Sequence, residues 1–493
     1  MPTLPFAAML ARTAHTAPDA PALVDGAQVV TAGELHARAL GCAAWLVAEG
    51  VRAGETIGVA VAGEYANLVT SLALVHLGVA QVSLPARDPL PLRAELARQT
   101  AVARVVADGD AAALPGSTVA RLLHPRGAEP ADVATIEPLA PDPDAPALFA
   151  TSSGTTGRPK LFALSQRLMA LRADELGASQ RFGPGQRIVL PMSSQSYPGK
   201  TVRLYALARG MATVLHDGAS SGPAMVDAVL RTGASMLQLT VLQARGLVAD
   251  GEGARRLPPA TAVFLGASRM PAGLPRAFEA RVGGRLYNRY GTSEVGMIAN
   301  AFPLGEDDVP DSVGRIVAGA EVEVLDADGS ALPPGHAGEL RFRTPWMVSR
   351  YHDDDGATAM HFRDGWFHPR DVGLVTTDGT LRFLGRRDDM MSLNGINIFP
   401  AEIERALESH PGVKHAAAFP IASAVHGEIP AAAVEPQPGA NLDPRELERH
   451  ARARLGERAP RRVIVVDELP RNAAGKVLKH ELAAGLAGER GDG

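Results

Sequence analysis

The chain has 493 residues, with 49 Lys+Arg against 54 Asp+Glu and a formal net charge of −5. That length can bury more than one core, and the near balance of charge argues against nucleic-acid binding, which needs a basic face. The single Cys42 excludes an internal disulfide and a cysteine metal cage, and no apolar run reaches the roughly 20 residues that span a bilayer.

Residues from Thr31 to Gly50 read as an amphipathic helix, with Leu35, Ala39, Cys42, Ala43 and Leu46 at helical spacing. Thr31 is its expected cap, with Glu34 three residues on. A turn at Gly54-Glu55-Thr56 leads into the strand Ile57 to Val61. A helix through Leu68 to Leu77 and a strand from Val79 to Leu84 follow. Helices alternating with short apolar strands predict an α/β fold with a parallel sheet. A Pro/Asp/Ala stretch from Glu137 to Pro146 then leads into the apolar run Ala147-Leu148-Phe149-Ala150. From Ala318 the pattern changes to strand and turn: Glu321 to Leu325, the turn Asp326-Ala327-Asp328-Gly329, then Glu339 to Arg343. This predicts a smaller β-rich subdomain.

The segment after Ala150 carries the strongest chemical signal: Ser152-Ser153-Gly154-Thr155-Thr156-Gly157-Arg158-Pro159-Lys160. Glycines let a backbone turn freely and approach an anion closely. Hydroxyls and backbone N–H groups donate to phosphate oxygens, and Arg158 and Lys160 add positive charge. A strand delivering such a loop is a phosphate cradle, although the G-x-x-x-x-G-K-[ST] spacing of the Walker loop is absent.

Further segments join it in chain order. They are Phe264-Leu265-Gly266-Ala267-Ser268, Tyr287-Asn288-Arg289-Tyr290-Gly291-Thr292-Ser293-Glu294 and Gly365-Trp366-Phe367-His368-Pro369-Arg370-Asp371. Later come the run from Gly385-Arg386-Arg387-Asp388 to Gly395-Ile396-Asn397-Ile398, and Leu469-Pro470-Arg471-Asn472-Ala473-Ala474-Gly475-Lys476. Taken singly, each also reads as a turn or solvated loop. Together, in this order, they resemble the signatures of the adenylate-forming superfamily: acyl- and aryl-CoA synthetases, adenylation domains of peptide synthetases, and luciferases. The resemblance covers nearly the whole chain. It departs from the family at Leu161, where glycine is usual, at Gln166, where histidine is common, at Pro369-Arg370 in place of Thr-Gly, and at Ser392 in place of lysine.

The resemblance implies an α/β fold: a large N-terminal domain, residues 1–387, of parallel-sheet layers with a β-rich subdomain, and a small mobile α+β domain, residues 389–493, hinged at Asp388. It implies ATP contacts from Ser152, Ser153, Gly154, Thr155, Thr156, Gly157 and Lys160, and from Gly266 and Ala267. Asn288, Tyr290, Gly291, Thr292 and Ser293 continue the site, with the Tyr290 ring stacking on adenine. Asp371 accepts from both ribose hydroxyls, which its two oxygens allow, and Arg386 touches ribose. Glu294 supplies a hard oxygen for the Mg²⁺ of ATP. Lys476, with Glu294 and Thr155, is assigned to catalysis, Lys476 as a charge bridging the attacking carboxylate and the α-phosphate. Gly395 borders the thiol channel.

The implied reaction joins a small carboxylic acid, aryl or acyl, to the thiol of coenzyme A through an acyl-adenylate. A carrier protein's phosphopantetheine is the alternative acceptor, and a nucleotide-binding pseudoenzyme is a further alternative. A serine hydrolase using Ser153 or Ser293 is disfavoured, because no G-x-S-x-G elbow surrounds either. In the family, residues after Pro191 line the acid pocket, here including Gln195, Tyr197 and Lys200. Lys200 and Arg203 can also be read as surface residues of a helix. No aspartate occurs between Pro191 and Lys200 to pair with an α-ammonium, which disfavours amino acids as substrates. The opening residues lack a secretory signal pattern, so a cytoplasmic location is expected, and the chain stops shortly after Lys476, so no fused carrier domain is expected.

Overall fold

The computed structural model describes residues 5–108, 120–123, 136–152, 160–215, 222–249, 256–266, 270, 273–301, 311–393, 396–423, 427–471 and 477–488. The calls on Ser153, Gly154, Thr155, Thr156, Gly157, Arg158, Ala267, Ser268, Gly395 and Lys476 lie outside these residues.

Two large sheets sandwich a layer of helices. Among the described residues the first has six strands, in the order Ala120–Leu123, Val102–Ala107, Thr56–Ala60, Ala80–Ser83, Pro146–Ser152 and Lys160–Ser165. Neighbours are parallel until the last pair, which is an antiparallel hairpin. Among the described residues the second sheet has fifteen strands. Its parallel half runs through Pro21–Asp25, Ala212–Leu215, Arg187–Val189, Met236–Thr240, Leu257–Gly266 and Gly283–Thr292. There the direction changes. Gly283–Thr292 pairs antiparallel with Gly296–Asn300, and Ser312–Ile316, Thr380–Arg386, Asp371–Val375 and Gly338–Arg343 continue the sheet. The β-rich subdomain expected from Ala318 forms the antiparallel half of this sheet.

Helices Glu64–Leu77, Gln166–Ser179 and Tyr197–Ala208 fill the space between the sheets. Leu68 and Leu74, Met169 and Ala173, and Leu204 and Tyr205 share one core with Phe162 and Leu164 of the first sheet and Phe264 of the second. Burial of this apolar surface is the main force holding the layers together. The other face of the second sheet packs Val263, Leu265 and Leu286 against Met225, Leu247 and Phe278 of three further helices. The first helix predicted from sequence forms at Ala32–Ala48 with its capping box intact: Glu34 N donates to Thr31 Oγ1 at 3.2 Å and Thr31 N to Glu34 Oε2 at 2.9 Å.

Beyond Arg386, a 3-10 turn at Arg387–Asp389 contains the backbone of Asp388. Strands Val413–Ser423, Gly427–Pro436 and Arg462–Val465 then form a separate sheet. Helix Pro400–Glu408 packs on it through Ile403 and Leu407, and helix Pro444–Leu455 through Leu447 and Ala451. Charged groups tie this region to the rest: Arg405 to Asp311, and Arg245 to Glu408 at 3.4 Å and to His415.

Candidate functional site

The two ends of the phosphate loop meet across a hairpin, with Ser152 paired to Lys160. Lys160 Nζ lies 2.7 Å from His361 Nε2, and His361 Nδ1 lies 2.7 Å from the His368 carbonyl oxygen. A carbonyl only accepts, so Nδ1 carries the proton and Nε2 accepts from the Lys160 ammonium. His361 is therefore neutral. Burial, then the neighbouring Lys160 charge, holds its pKa below the usual histidine range. Lys160 also stands 5.4 Å from the centre of the Tyr351 ring.

The Tyr351 hydroxyl donates to Glu294 Oε1 at 2.9 Å. Glu294 is 6% exposed and sits in the turn between Gly283–Thr292 and Gly296–Asn300. Gly291 admits no side chain, because a Cβ there would lie 2.1 Å from the Gly296 carbonyl oxygen. Within the turn, Val295 N donates to Thr292 Oγ1 at 3.2 Å. Arg172 braces it from below. Its Nη1 donates to Ser293 O at 3.0 Å and to the Tyr197 hydroxyl at 2.6 Å; Nη2 donates to Glu294 O at 2.8 Å and Nε to Trp346 O at 3.0 Å. The Tyr197 hydroxyl in turn donates to Ser293 O at 3.3 Å.

A second group gathers on the antiparallel half of the sheet. The Tyr290 hydroxyl donates to Asp371 Oδ2, and Arg386 Nε lies 3.6 Å from Asp371 Oδ1. Burial pushes the Asp371 carboxyl up to about 6, with Arg386 opposing the rise. The Tyr290 ring, expected to stack on adenine, packs at 5.4 Å from Phe383 and 5.8 Å from Phe342. Asn288 is a structural tie, its Nδ2 donating to Ser312 O at 3.1 Å. The Pro369-Arg370 departure is resolved by backbone strain. Arg370 takes φ 66°, the left-handed region that the family's glycine would enter freely, and its carbonyl accepts from Arg387 N at 2.7 Å. Gln166 also has a structural task, accepting from Ala7 N at 3.1 Å and donating to Val75 O at 2.5 Å.

The expected acid-pocket segment is more internal than its sequence suggests. Lys200 is 1% exposed and Arg203 0%, so neither is a surface cation. Lys200 Nζ donates to Gln81 Oε1 at 3.2 Å, and burial lowers its pKa to about 7 against the opposing charge of Glu64. Arg203 donates to the carbonyls of Leu190, Met192 and Gly199 and lies 3.7 Å from Glu64. Glu64 also accepts from Ser193 Oγ at 2.6 Å and from Ser194 N at 2.8 Å. Gln195 Nε2 donates to Ala62 O at 3.3 Å.

Sequence reasoning missed Arg172, Tyr351 and His361. Arg172 was findable, because it occupies the apolar stripe of its helix with Met169, Ala173 and Leu176. Tyr351 and His361 left no local signal.

The residues fit a nucleotide with its metal. Glu294 Oε1 is taken by Tyr351, while Oε2 makes no hydrogen bond among the described residues. No group of three or more His, Cys, Asp or Glu there could hold a metal ion by itself, so a hard cation would share its shell with phosphate oxygens. No helix among the described residues is long and apolar enough to cross a membrane.

The chain is similar to known proteins over nearly its whole length. Residues 10–352 match the AMP-binding enzyme family, and residues 402–476 match the AMP-binding enzyme C-terminal domain. A sulfoacetate–CoA ligase of Cupriavidus necator is 30% identical, covering 97% of this chain and 97% of its own. A 2-succinylbenzoate–CoA ligase of Geobacillus kaustophilus is 28% identical over 96% of each. The ATP-bound structure of MatB from Rhodopseudomonas palustris superposes with a TM-score of 0.86 at 27% identity, covering 97% of this chain and 98% of that one.

Proposed function

The chain belongs to the AMP-binding enzyme family, and from that premise we propose that it joins a small non-amino carboxylic acid to the thiol of coenzyme A at the cost of ATP. It is an acid–thiol ligase using ATP, Mg²⁺ and coenzyme A. The observation that carries the reading is the meeting of distant segments: Lys160 from the end of the phosphate loop lies over the Tyr351 ring whose hydroxyl bonds Glu294, and Glu294 is near enough to act electrostatically on Asp371, which Arg386 accompanies.

In this reading the acid's carboxylate attacks the α-phosphorus of ATP, the bond to pyrophosphate breaks, and an acyl-adenylate forms. The thiol then attacks the acyl carbon and AMP leaves. Asp371 accepts from the ribose hydroxyls, and Lys160, held by His361, presents charge to the phosphates. Glu294 would hold the Mg²⁺, which when bound offsets phosphate charge. Tyr351 and Arg172 keep that carboxylate in place from its side-chain and backbone ends. Lys476 serves the first half-reaction, and rotation of residues 389–493 about Asp388 brings the Gly395 loop to the thiol.

The two ligases named above act on acids of very different size, so likeness alone does not name the acid here. ATP–pyrophosphate exchange with a panel of aryl, acyl and amino acids tests the reading, followed by mass analysis of the product made with coenzyme A. Exchange with non-amino acids and a coenzyme A thioester is expected. Exchange confined to an α-amino acid, or transfer only to a carrier protein's phosphopantetheine, would overturn it.

A further inference from the structure

The 3-10 turn Arg387–Asp389 separates strand Thr380–Arg386 of the large sheet from helix Pro400–Glu408 of the last region. The two elements border a cleft of about 360 Å³. Leu384, on the strand, is its wall from before the turn. The helix supplies Glu402, Arg405 and Ala406, and Ser409 caps it. Residues three, four and seven apart share one face of a helix, so these four side chains look the same way. Arg454 and Leu455 join them from the end of helix Pro444–Leu455. Phe399, which also lines the cleft, sits close against the strand. A Cβ on Gly385 would stand 3.3 Å from its ring, so the bare glycine lets the helix start approach.

The lining combines apolar surface with cationic donors that the chain itself leaves open. A guanidinium has five N–H donors. Arg405 makes one hydrogen bond among the described residues, through Nη1 to Asp311, and its side chain is 29% exposed. Arg454 lies 3.3 Å from Nδ1 and from the carbonyl of His450, and no carboxylate pairs with it within 4.0 Å among the described residues. Glu402, the acidic member of the lining, is engaged by Arg458 at 3.1 Å. Three arginines thus face two carboxylates, and the balance is positive. Leu384, Phe399, Ala406 and Leu455 supply the apolar surface. A volume of this size, with apolar walls and a few placed polar groups, is the usual form of a small-molecule site.

We propose that this cleft is a second ligand site, apart from the nucleotide site, and that it takes a small organic anion with an apolar body, an aryl or alkyl carboxylate or sulfonate. The oxyanion pairs with Arg454 and with the open donors of Arg405, whose planar forks match it. The body lies against Leu384, Phe399 and Leu455. Because Leu384 precedes the turn and the other lining residues follow it, a bound ligand holds the two parts in the orientation seen here, alongside the Arg405–Asp311 pair. Turnover that requires rotation at Asp388 is then slowed. This regulatory half rests on the moving-domain ligase reading above.

The test uses the full-length enzyme and two fluorescent probes, anilinonaphthalene sulfonate and its neutral analogue N-phenylnaphthylamine. The sulfonate is expected to bind in the presence of saturating Mg·ATP and coenzyme A. Ala406→Trp, which fills the cleft, should abolish that binding; if it does not fold, Ser409→Trp takes its place. Arg454→Gln should weaken the sulfonate by about tenfold, the lower end for a hydrogen bond to a charged group, and leave the neutral probe unchanged. The bound sulfonate should lower kcat for thioester formation by about fivefold or more, with the KM values for ATP, acid and coenzyme A unchanged. It should also slow trypsin cleavage after Arg387, a readout that needs no turnover. Ala406→Trp should make both effects vanish. Displacement of the sulfonate by ATP or coenzyme A would put the cleft in the path of a substrate and overturn the proposal. Binding that survives the tryptophan, equal weakening of both probes by Arg454→Gln, or unchanged kcat and cleavage with the site filled would also overturn it, as would no binding of the sulfonate. If no acid yields a thioester, the ligase reading fails, and trypsin protection that Ala406→Trp removes still upholds this site. Thioester formation without sulfonate binding does the reverse.

Discussion

Glu294 divides its carboxylate between two tasks, one oxygen on the Tyr351 hydroxyl and the other free of hydrogen bonds among the described residues. Glu294→Gln keeps the size and removes the charge a hard cation requires. The variant should fold normally, lose on the order of a hundredfold in adenylation rate, and recover part of it at high Mg²⁺. Unchanged activity at limiting Mg²⁺ would remove Glu294 from the metal shell. Asp371 makes a pH prediction. Burial holds its carboxyl at about 6, so below that pH it is mainly protonated and loses acceptor capacity for the ribose hydroxyls. The KM for ATP should therefore rise as pH falls through 6, by up to about tenfold per unit. Asp371→Asn, which cannot titrate, should have a high and pH-independent KM. A profile flat from pH 5 to 7 in the wild type would contradict the assignment. Tyr290 and Arg386 both meet this carboxylate, whereas in the sequence only their motif membership was legible.

At the scale of elements, helix Gln166–Ser179 is hydrogen-bonded to the Glu294 turn through Arg172. Arg172 satisfies the carbonyls of Ser293, Glu294 and Trp346 together with the Tyr197 hydroxyl. Arg172→Met should leave those buried acceptors short of donors and lower stability by roughly 2–4 kcal/mol. Because the lost bonds hold the turn proposed to carry the metal ligand, the KM for Mg²⁺ should rise more than the KM for the acid in steady-state kinetics. Helix Tyr197–Ala208 has Lys200 in its buried interior, with its pKa lowered to about 7. The unfolded lysine titrates near 10.4, so between these values the unfolded chain binds more protons than the folded one. Stability should therefore rise with pH from 7 toward 10, by at most about 1.4 kcal/mol per unit from this group. Lys200→Met should remove that slope in denaturant titrations and be as stable as the wild type or more so at pH 7. The burial of this helix was legible after all: Val202, Leu204, Tyr205, Ala206, Leu207 and Ala208 leave it no polar face, which is the pattern of an enclosed helix.

For the whole molecule, the proposed division of labour predicts a contrast between two variants. Lys476→Ala should stop adenylation but still make thioester from a synthetic acyl-adenylate, since that step forms no new bond to phosphorus. Asp388→Pro should adenylate but fail to make thioester, because proline fixes φ near −65° and restricts the residue before it, hindering rotation. Equal slowing of both half-reactions by both variants would refute the moving-domain assignment. The pairs Arg405–Asp311 and Arg245–Glu408 would have to break in such a rotation and would then contribute to its barrier.

The sequence by itself determined the alternation of helix and strand, the capping box at Thr31 and Glu34, and the order of the nucleotide motifs. Each of these is encoded within a few consecutive residues, by periodicity, turn chemistry or spacing. Only the tertiary structure decided that the β-rich region continues the large parallel sheet, because that depends on Gly283–Thr292 pairing antiparallel with Gly296–Asn300. It alone set His361 against Lys160, 201 positions apart, Tyr351 against Glu294, 57 apart, and Arg172 under the same turn, 122 apart. Such partners meet through packing of the two sheets around their helices, and the energy that joins them is that of desolvated charge finding a donor or acceptor, which no local pattern records.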